Sequence, residues 1–200
     1  MSILKAITTD QPPLPETDSA SSVTGETALT LWQQIKEDWQ AHGRDWTKPG
    51  FRAIAVYRFG VWRMQKPKLL RAPLSLLYKS LYRKMRNGYG IDLPYTVKLG
   101  RRVVIEHQNG IIIHGYSEIG DDSIIRQGVT LGNRYLDCPF DAPKLGARVN
   151  VGAGAKILGK VTLGDGASVG ANAVVLNDIP AGQTAVGIPA KILKPKDTPD

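Results

Sequence analysis

The sequence predicts a mainly β fold, a parallel β-helix preceded by a short α-helical domain, and three observations carry that expectation. Between residues 99 and 175 an apolar residue returns every six positions in three phased runs. These are Leu99, Ile105 and Ile111, then Ile119, Ile125 and Leu131, then Leu145, Val151, Ile157, Leu163, Val169 and Val175. Gly follows the apolar residue directly at Gly100, Gly120, Gly132, Gly146, Gly152, Gly164 and Gly170. Upstream of residue 90 the spacing changes to threes and fours, as on a helix face. A period of six belongs neither to a helix nor to a plain alternating strand. It is the repeat of a solenoid in which six residues supply one short strand and one corner, with Gly expected to give the corners a positive φ.

The elements follow in order. Residues 1–25 are rich in Pro, Ser, Thr and acid, lack periodicity, and read as a disordered tail. Residues 26–89 read as a short basic helical domain. Leu31, Ile35 and Trp39 mark a first helix, the apolar stretch from Phe51 to Trp62 a second, and Leu74, Leu77, Tyr78, Leu81 and Met85 one face of a third. Residues 90–185 form the β-helix, and 186–200 an exit segment and tail. Two breaks in phase are informative. Ile111 to Ile119 is eight positions, which enlarges one corner, and Leu131 to Leu145 is fourteen, which expels a loop over 133–144. Insertions in a repeat decorate its surface, often its binding face. A prism this narrow is filled by its own side chains, so a site must lie outside it.

The net charge of +8 is unevenly distributed. Residues 51–90 hold Arg52, Arg58, Arg63, Lys66, Lys68, Arg71, Lys79, Arg83, Lys84 and Arg86 with no acid. A solvated helical surface is the first reading, and peripheral contact with an anionic membrane the second. No nucleic-acid motif accompanies the charge, and nucleic acid is set aside as a partner. The single cysteine, Cys138, cannot form an internal disulfide and reads as a loop residue. With no signal peptide or membrane-spanning run, a cytoplasmic location is expected, with peripheral attachment to the inner membrane face as its variant.

Three histidines are candidates for chemistry. His42 reads as a solvated loop residue, and His114, at the enlarged corner, as a corner residue near a subunit seam. His107 follows Glu106 and precedes an Asn109-Gly110 corner, with Asp92 fifteen positions earlier, almost one coil back. A carboxylate that holds one imidazole nitrogen leaves the other free as a general base. The alternative for such a pair is an ordinary structural hydrogen bond.

These residues carry a family resemblance over about residues 50–195. Gly50-Phe-Arg-Ala-Ile-Ala-Val-Tyr-Arg-Phe-Gly-Val-Trp62, Ile91-Asp92, Glu106-His107-Gln-Asn-Gly110, Gln127-Gly-Val-Thr-Leu-Gly132, Gly152-Ala-Gly-Ala-Lys-Ile-Leu-Gly159 and Gly187-Ile-Pro-Ala-Lys191 are similar to segments of hexapeptide-repeat acyltransferases, specifically the serine acetyltransferases. The resemblance implies a left-handed β-helix, a homotrimer, and acetyl-CoA in the groove between subunits, with no metal. It implies His107 as catalytic base, Asp92 as the residue that orients it, and the Asn133 backbone N–H after Gly132 as oxyanion donor. Ala153 and Ala171 match positions that contact the pantetheine arm, although small residues at tight corners explain them equally. Lys191 matches a basic residue near the nucleotide phosphates. Glu106 stands where the family has an acid before the His, and Asp45 matches a helical-domain Asp that reaches the acceptor.

The departures concern the acceptor. Where the family has an Arg-His pair before Pro143-Lys144, this chain has Asp141-Ala142. Replacing a cation by an anion reverses the sign of a carboxylate-binding site, leaving Arg134 and Lys144 as the candidate replacements. The loop and the short helical part also resemble the offshoot that acetylates sugars of exopolysaccharides such as colanic acid. The sequence therefore favours a sugar hydroxyl as acceptor, with L-serine as the alternative and a non-catalytic hexapeptide scaffold as the contrasting class.

Overall fold

The computed structural model describes residues 29–193; the proposed tail at 1–25 and the final residues of the 186–200 segment lie outside them. Three helices come first: α1 (Leu31–Ala41), α2 (Pro49–Met64) and α3 (Lys68–Tyr89). Thr30 and Gln33 cap α1 reciprocally, each side chain bonding the other's backbone N–H. Pro49 occupies the first position of α2, and Gly90, with φ 65°, ends α3 in the left-handed conformation that Gly adopts without a Cβ penalty.

A parallel β-helix follows, its short strands wound onto three faces. Face 1 holds β1 (Ile91–Asp92), β4 (Ile111–Ile113), β7 (Thr130–Gly132), β10 (Lys156–Leu158) and β13 (Val174–Val175). Face 2 holds β2 (Lys98–Leu99), β5 (Glu118–Ile119), β8 (Lys144–Leu145) and β11 (Thr162–Leu163). Face 3 holds β3 (Val104–Glu106), β6 (Ile124–Arg126), β9 (Asn150–Val151), β12 (Ser168–Val169) and β14 (Thr184–Val186). The last strand, β15 (Lys191–Ile192), turns back antiparallel onto β14 and closes that edge. Ile105, Ile125, Val151 and Val169 stack in register down face 3. Ile113, Leu131, Ile157 and Val175 do the same on face 1. These side chains are the core, and Ile111, Ile125, Leu131, Ile157 and Leu163 are fully buried.

The repeating glycines serve a different purpose from the one expected. None of Gly100, Gly120, Gly146, Gly152, Gly164 or Gly170 has a positive φ. They are needed because the next coil passes too close: a Cβ on Gly152 would lie 2.6 Å from the Ala171 nitrogen, and one on Gly120 would lie 2.5 Å from the Gly146 carbonyl carbon. Positive φ falls instead on Arg102, Asp122 and Arg148 at one corner and on Asn109, Gly128, Gly154 and Asn172 at another.

The helical part packs on the first coil through a buried ion pair. Arg58 Nε donates to Asp38 Oδ2 at 2.8 Å, and the same guanidinium reaches Leu99 O at 3.1 Å and Gly100 O at 2.5 Å. Asp38 is 1 % exposed and Arg58 7 %. Arg63 is also buried, stacked between Tyr78 and Tyr95 at 4.3 and 4.6 Å from their ring centroids. These two cations leave the solvated basic surface that the sequence suggested, because each bridges α2 to a neighbouring element. Leu77 departs in the other direction. It is 50 % exposed although its spacing placed it on the buried face of α3, which is formed by Tyr78 and Met85 with Leu74, Leu81 and Tyr82 half-buried around them.

Removing one partner of a buried pair strands the other charge in a poor solvent for it. Asp38→Ala should lower the unfolding free energy by about 3–5 kcal/mol, read from urea denaturation. A loss below about 1 kcal/mol, the worth of an exposed pair, would show that the clamp is not structural.

Candidate active site

The connection from face 3 to face 1 forms a corner on every coil, and the candidate residues collect there. His107 and Gln108 follow β3, Gln127 and Gly128 follow β6, Ala153 and Gly154 follow β9, and Ala171 and Asn172 follow β12. Backbone bonds run straight along this corner: Gly128 N–H to Asn109 O, Gly154 N–H to Gln127 O, and Asn172 N–H to Ala153 O, at 2.8–2.9 Å. Small residues recur along it at Gly128, Ala153, Gly154 and Ala171. Gly187 continues the same edge, bonded from Val174 N–H at 3.0 Å, and Lys191 is exposed just beyond it. His107, Ala153, Ala171 and Lys191 thus share one edge of the molecule.

His107 is exposed and holds φ 66°, an uncommon conformation for a residue with a side chain. Beside it lies a cavity of about 250 Å³, walled by His42, Lys48, Pro49 and Gly50 from the α1–α2 segment and by Ile105, Glu106 and Gln108 from β3 and its corner. Glu106 is paired with Arg126 on the next coil at 2.9 Å. Asp45 belongs to the same α1–α2 segment without lining the cavity. It accepts from Thr47 N–H at 2.8 Å and from the Thr47 hydroxyl, bonds that hold its carboxyl below the usual range. No cluster of three His, Cys, Asp or Glu side chains suited to a metal occurs among the described residues.

No hydrogen bond joins Asp92 to His107 among the described residues. The register partner of Asp92 is Ile112, so it stands over face 1 beyond the corner that carries His107. The Tyr82 hydroxyl on α3 donates to Asp92 Oδ1 instead, and that bond together with burial raises the tyrosine pKa. Tyr82 was missed in the sequence, where its only signal was a place four residues after Tyr78. Lys48 was missed too, although it lies three residues from Asp45.

Gly132 and Asn133 lie at the opposite edge of face 1, where β7 leaves for the inserted loop. Asp141 is on that loop, its N–H bonded to Cys138 O at 3.2 Å. Lys144 is committed elsewhere, to Glu118 at 2.9 Å. Burial pushes Glu118 up, but hydrogen bonds from Lys144 and Lys98 outweigh it and hold the carboxyl below its ordinary value. Arg134 lies over Tyr135 at 5.1 Å. His114 belongs to this edge as well, with Tyr116 and Phe140 packed nearby, and burial lowers its pKa. The candidate residues of one chain therefore lie at opposite edges of a single face.

His42 corrects its sequence reading. It is 1 % exposed, because its ring fastens α1 to β3: Nδ1 donates to Asp38 O at 2.7 Å and Nε2 accepts from Ile105 N–H at 3.3 Å. Those roles require the neutral ring, and burial holds its pKa below 6.5.

The bacterial transferase hexapeptide model (six repeats) matches residues 142–177. A serine acetyltransferase of Helicobacter pylori is 41 % identical over 145 residues, 72 % of this chain and 81 % of that protein. This chain belongs to the serine acetyltransferase family. The Salmonella typhimurium serine acetyltransferase is 37 % identical over 144 residues, which span 72 % of this chain but only 50 % of that protein. Among solved structures, the soybean serine acetyltransferase apoenzyme superposes with a TM-score of 0.70 at 30 % identity, covering 82 % of this chain and 69 % of that one. The Brucella abortus serine acetyltransferase in complex with coenzyme A gives 0.69 at 27 % identity, covering 80 % and 66 %.

His107→Ala should lower turnover by roughly 10²–10⁴, the worth of a general base, with the melting temperature unchanged because the residue is exposed. Near-normal turnover would remove His107 from the chemistry. His42 makes stability depend on pH. Its folded pKa lies below the unfolded one, so its contribution is complete above about pH 6.5 and is lost as the pH falls toward the folded value. His42→Gln should flatten the decline in denaturation midpoint between roughly pH 7 and 5; an unchanged decline would assign it to other groups.

Proposed function

We propose that this chain is an acetyl-CoA-dependent O-acetyltransferase whose acceptor is L-serine, acting as a homotrimer in the cytoplasm. The observation that carries the reading is the column of small residues running from His107 to Ala171 in a chain whose relatives are serine acetyltransferases. A straight, open corner suits the pantetheine arm, with Ala153 and Ala171 beneath it and Lys191 near the phosphates. The thioester then lies at the His107 end. His107 takes the proton from the acceptor hydroxyl as its oxygen bonds to the acetyl carbon, and returns that proton to the departing thiolate of coenzyme A. The Asn133 N–H stabilises the oxygen on which negative charge develops. Because Asn133 and His107 lie on opposite edges of face 1, the donor must come from a neighbouring copy, which supports the trimer.

The acceptor reading turns from a sugar to serine on two grounds. The curated relatives carry serine in their names. The cation lacking at Asp141-Ala142 has a replacement in Lys48, which lines the cavity beside His107 and has no ion pair among the described residues. Glu106, which lines the same cavity, then serves the ammonium. A sugar acceptor remains the second reading, favoured by the engagement of Lys144 with Glu118.

Comparing kcat/KM for L-serine with a panel of nucleotide- and lipid-linked sugars tests this. Serine should lead by more than about tenfold, or roughly 1.4 kcal/mol of transition-state binding. A leading sugar would reverse the assignment, and no coenzyme A release with any acceptor would favour the scaffold. Lys48→Gln should raise KM for L-serine roughly tenfold while leaving that for L-serinamide, which lacks the carboxylate charge, unchanged.

A further inference from the structure

The helix α3 turns one face inward and leaves the other uncovered. Leu69 and Leu76 are 92 % and 71 % exposed, and Leu70 and Leu77 are 56 % and 50 % exposed. Each pair is spaced seven apart, so the four form a leucine stripe on the side of α3 away from Tyr78 and Met85. Lys68, Lys79, Arg83, Lys84 and Arg86 flank or extend that stripe, and α3 contains no acid. None of the five takes part in an ion pair among the described residues. Among the described residues no helix is long and apolar enough to cross a membrane.

We propose that the outer face of α3 docks this protein on an anionic lipid surface, lying in the interface rather than crossing it. The chemistry of the face selects that occupant. Leucines standing clear of the protein need an apolar environment, and a belt of lysine and arginine around them needs anions on its rim; the headgroup–acyl boundary supplies both together. A second copy of this chain is the poorer fit. Two such faces meeting about a twofold axis would bring five cations against five with no carboxylate on either helix. A small soluble polyanion would satisfy the cations and leave the leucines in water.

The test is sedimentation of the full chain with vesicles. Binding to phosphatidylcholine vesicles containing phosphatidylserine should exceed binding to pure phosphatidylcholine by about tenfold or more at low salt, and should fall as salt screens the charges. Leu69→Ser with Leu76→Ser, and separately Arg83→Glu with Lys84→Glu, should each lower that binding about tenfold while leaving coenzyme A release and the melting temperature unaltered. Excess glycerophosphoserine should not compete. Equal binding to both vesicle types, no binding to either, or binding untouched by both double substitutions would overturn the proposal. So would a loss of self-association in Leu69→Ser with Leu76→Ser without vesicle binding by the unsubstituted chain, since the occupant would then be a second copy.

Discussion

Everything in this molecule depends on how closely its coils stack. Parallel strands lie about 4.8 Å apart, and the corners repeat at the same spacing. Backbone from one coil therefore runs against backbone of the next wherever the chain turns. That spacing admits no side chain at Gly152 or Gly120, and it makes an aliphatic residue at every sixth position sufficient to fill the interior. It also sends the chemistry outside. With the prism closed by Ile, Leu and Val, only corners, insertions and attached helices can hold polar groups in productive arrangements. The corner between faces 3 and 1 runs without an insertion from Asn109 to Asn172, and the candidate base sits at its first coil.

The helical part is attached where that base is. Asp38–Arg58 ties α1 and α2 to the Leu99–Gly100 backbone, His42 binds the Ile105 N–H, and Gly50 comes so close to Ile105 that a Cβ there would overlap its carbonyl oxygen. Three buried contacts thus fix the helices α1 and α2 against the end of β2 and against β3. The cavity beside His107 is the space they leave, so its shape is as rigid as the clamp. The same clamp faces α2 inward, while α3, held mainly through Tyr78, Tyr82 and Met85, keeps its leucine stripe and its cations outside.

The solenoid was legible because hexapeptide phase is a property of the chain alone. The corner glycines were legible as a pattern but not in purpose, since a positive φ and a neighbouring backbone both select Gly, and only the stacked coils distinguish them. His42 and Arg58 were not legible at all. A histidine in a polar stretch and an arginine among nine other cations look solvated until the partner that buries them, sixty or forty positions away, is known. The sequence singles out the candidate base by its place before an Asn-Gly corner and pairs it with Asp92 fifteen positions earlier. Asp92 lies one coil below in sequence distance, but the register sets it opposite Ile112, where a tyrosine from α3 meets it. Lys48 escaped because the resemblance directed attention to the inserted loop, whereas the cavity is built from the other edge.

The central claim is that the acceptor is held between the α1–α2 segment and the β3 corner. Hydrogen exchange of backbone amides, measured with coenzyme A alone and then with L-serine added, tests it most directly. Serine should add protection over residues 42–50 and 104–110 together. Protection confined to 133–144, with the α1–α2 segment exchanging as before, would contradict the account and move the acceptor to the loop.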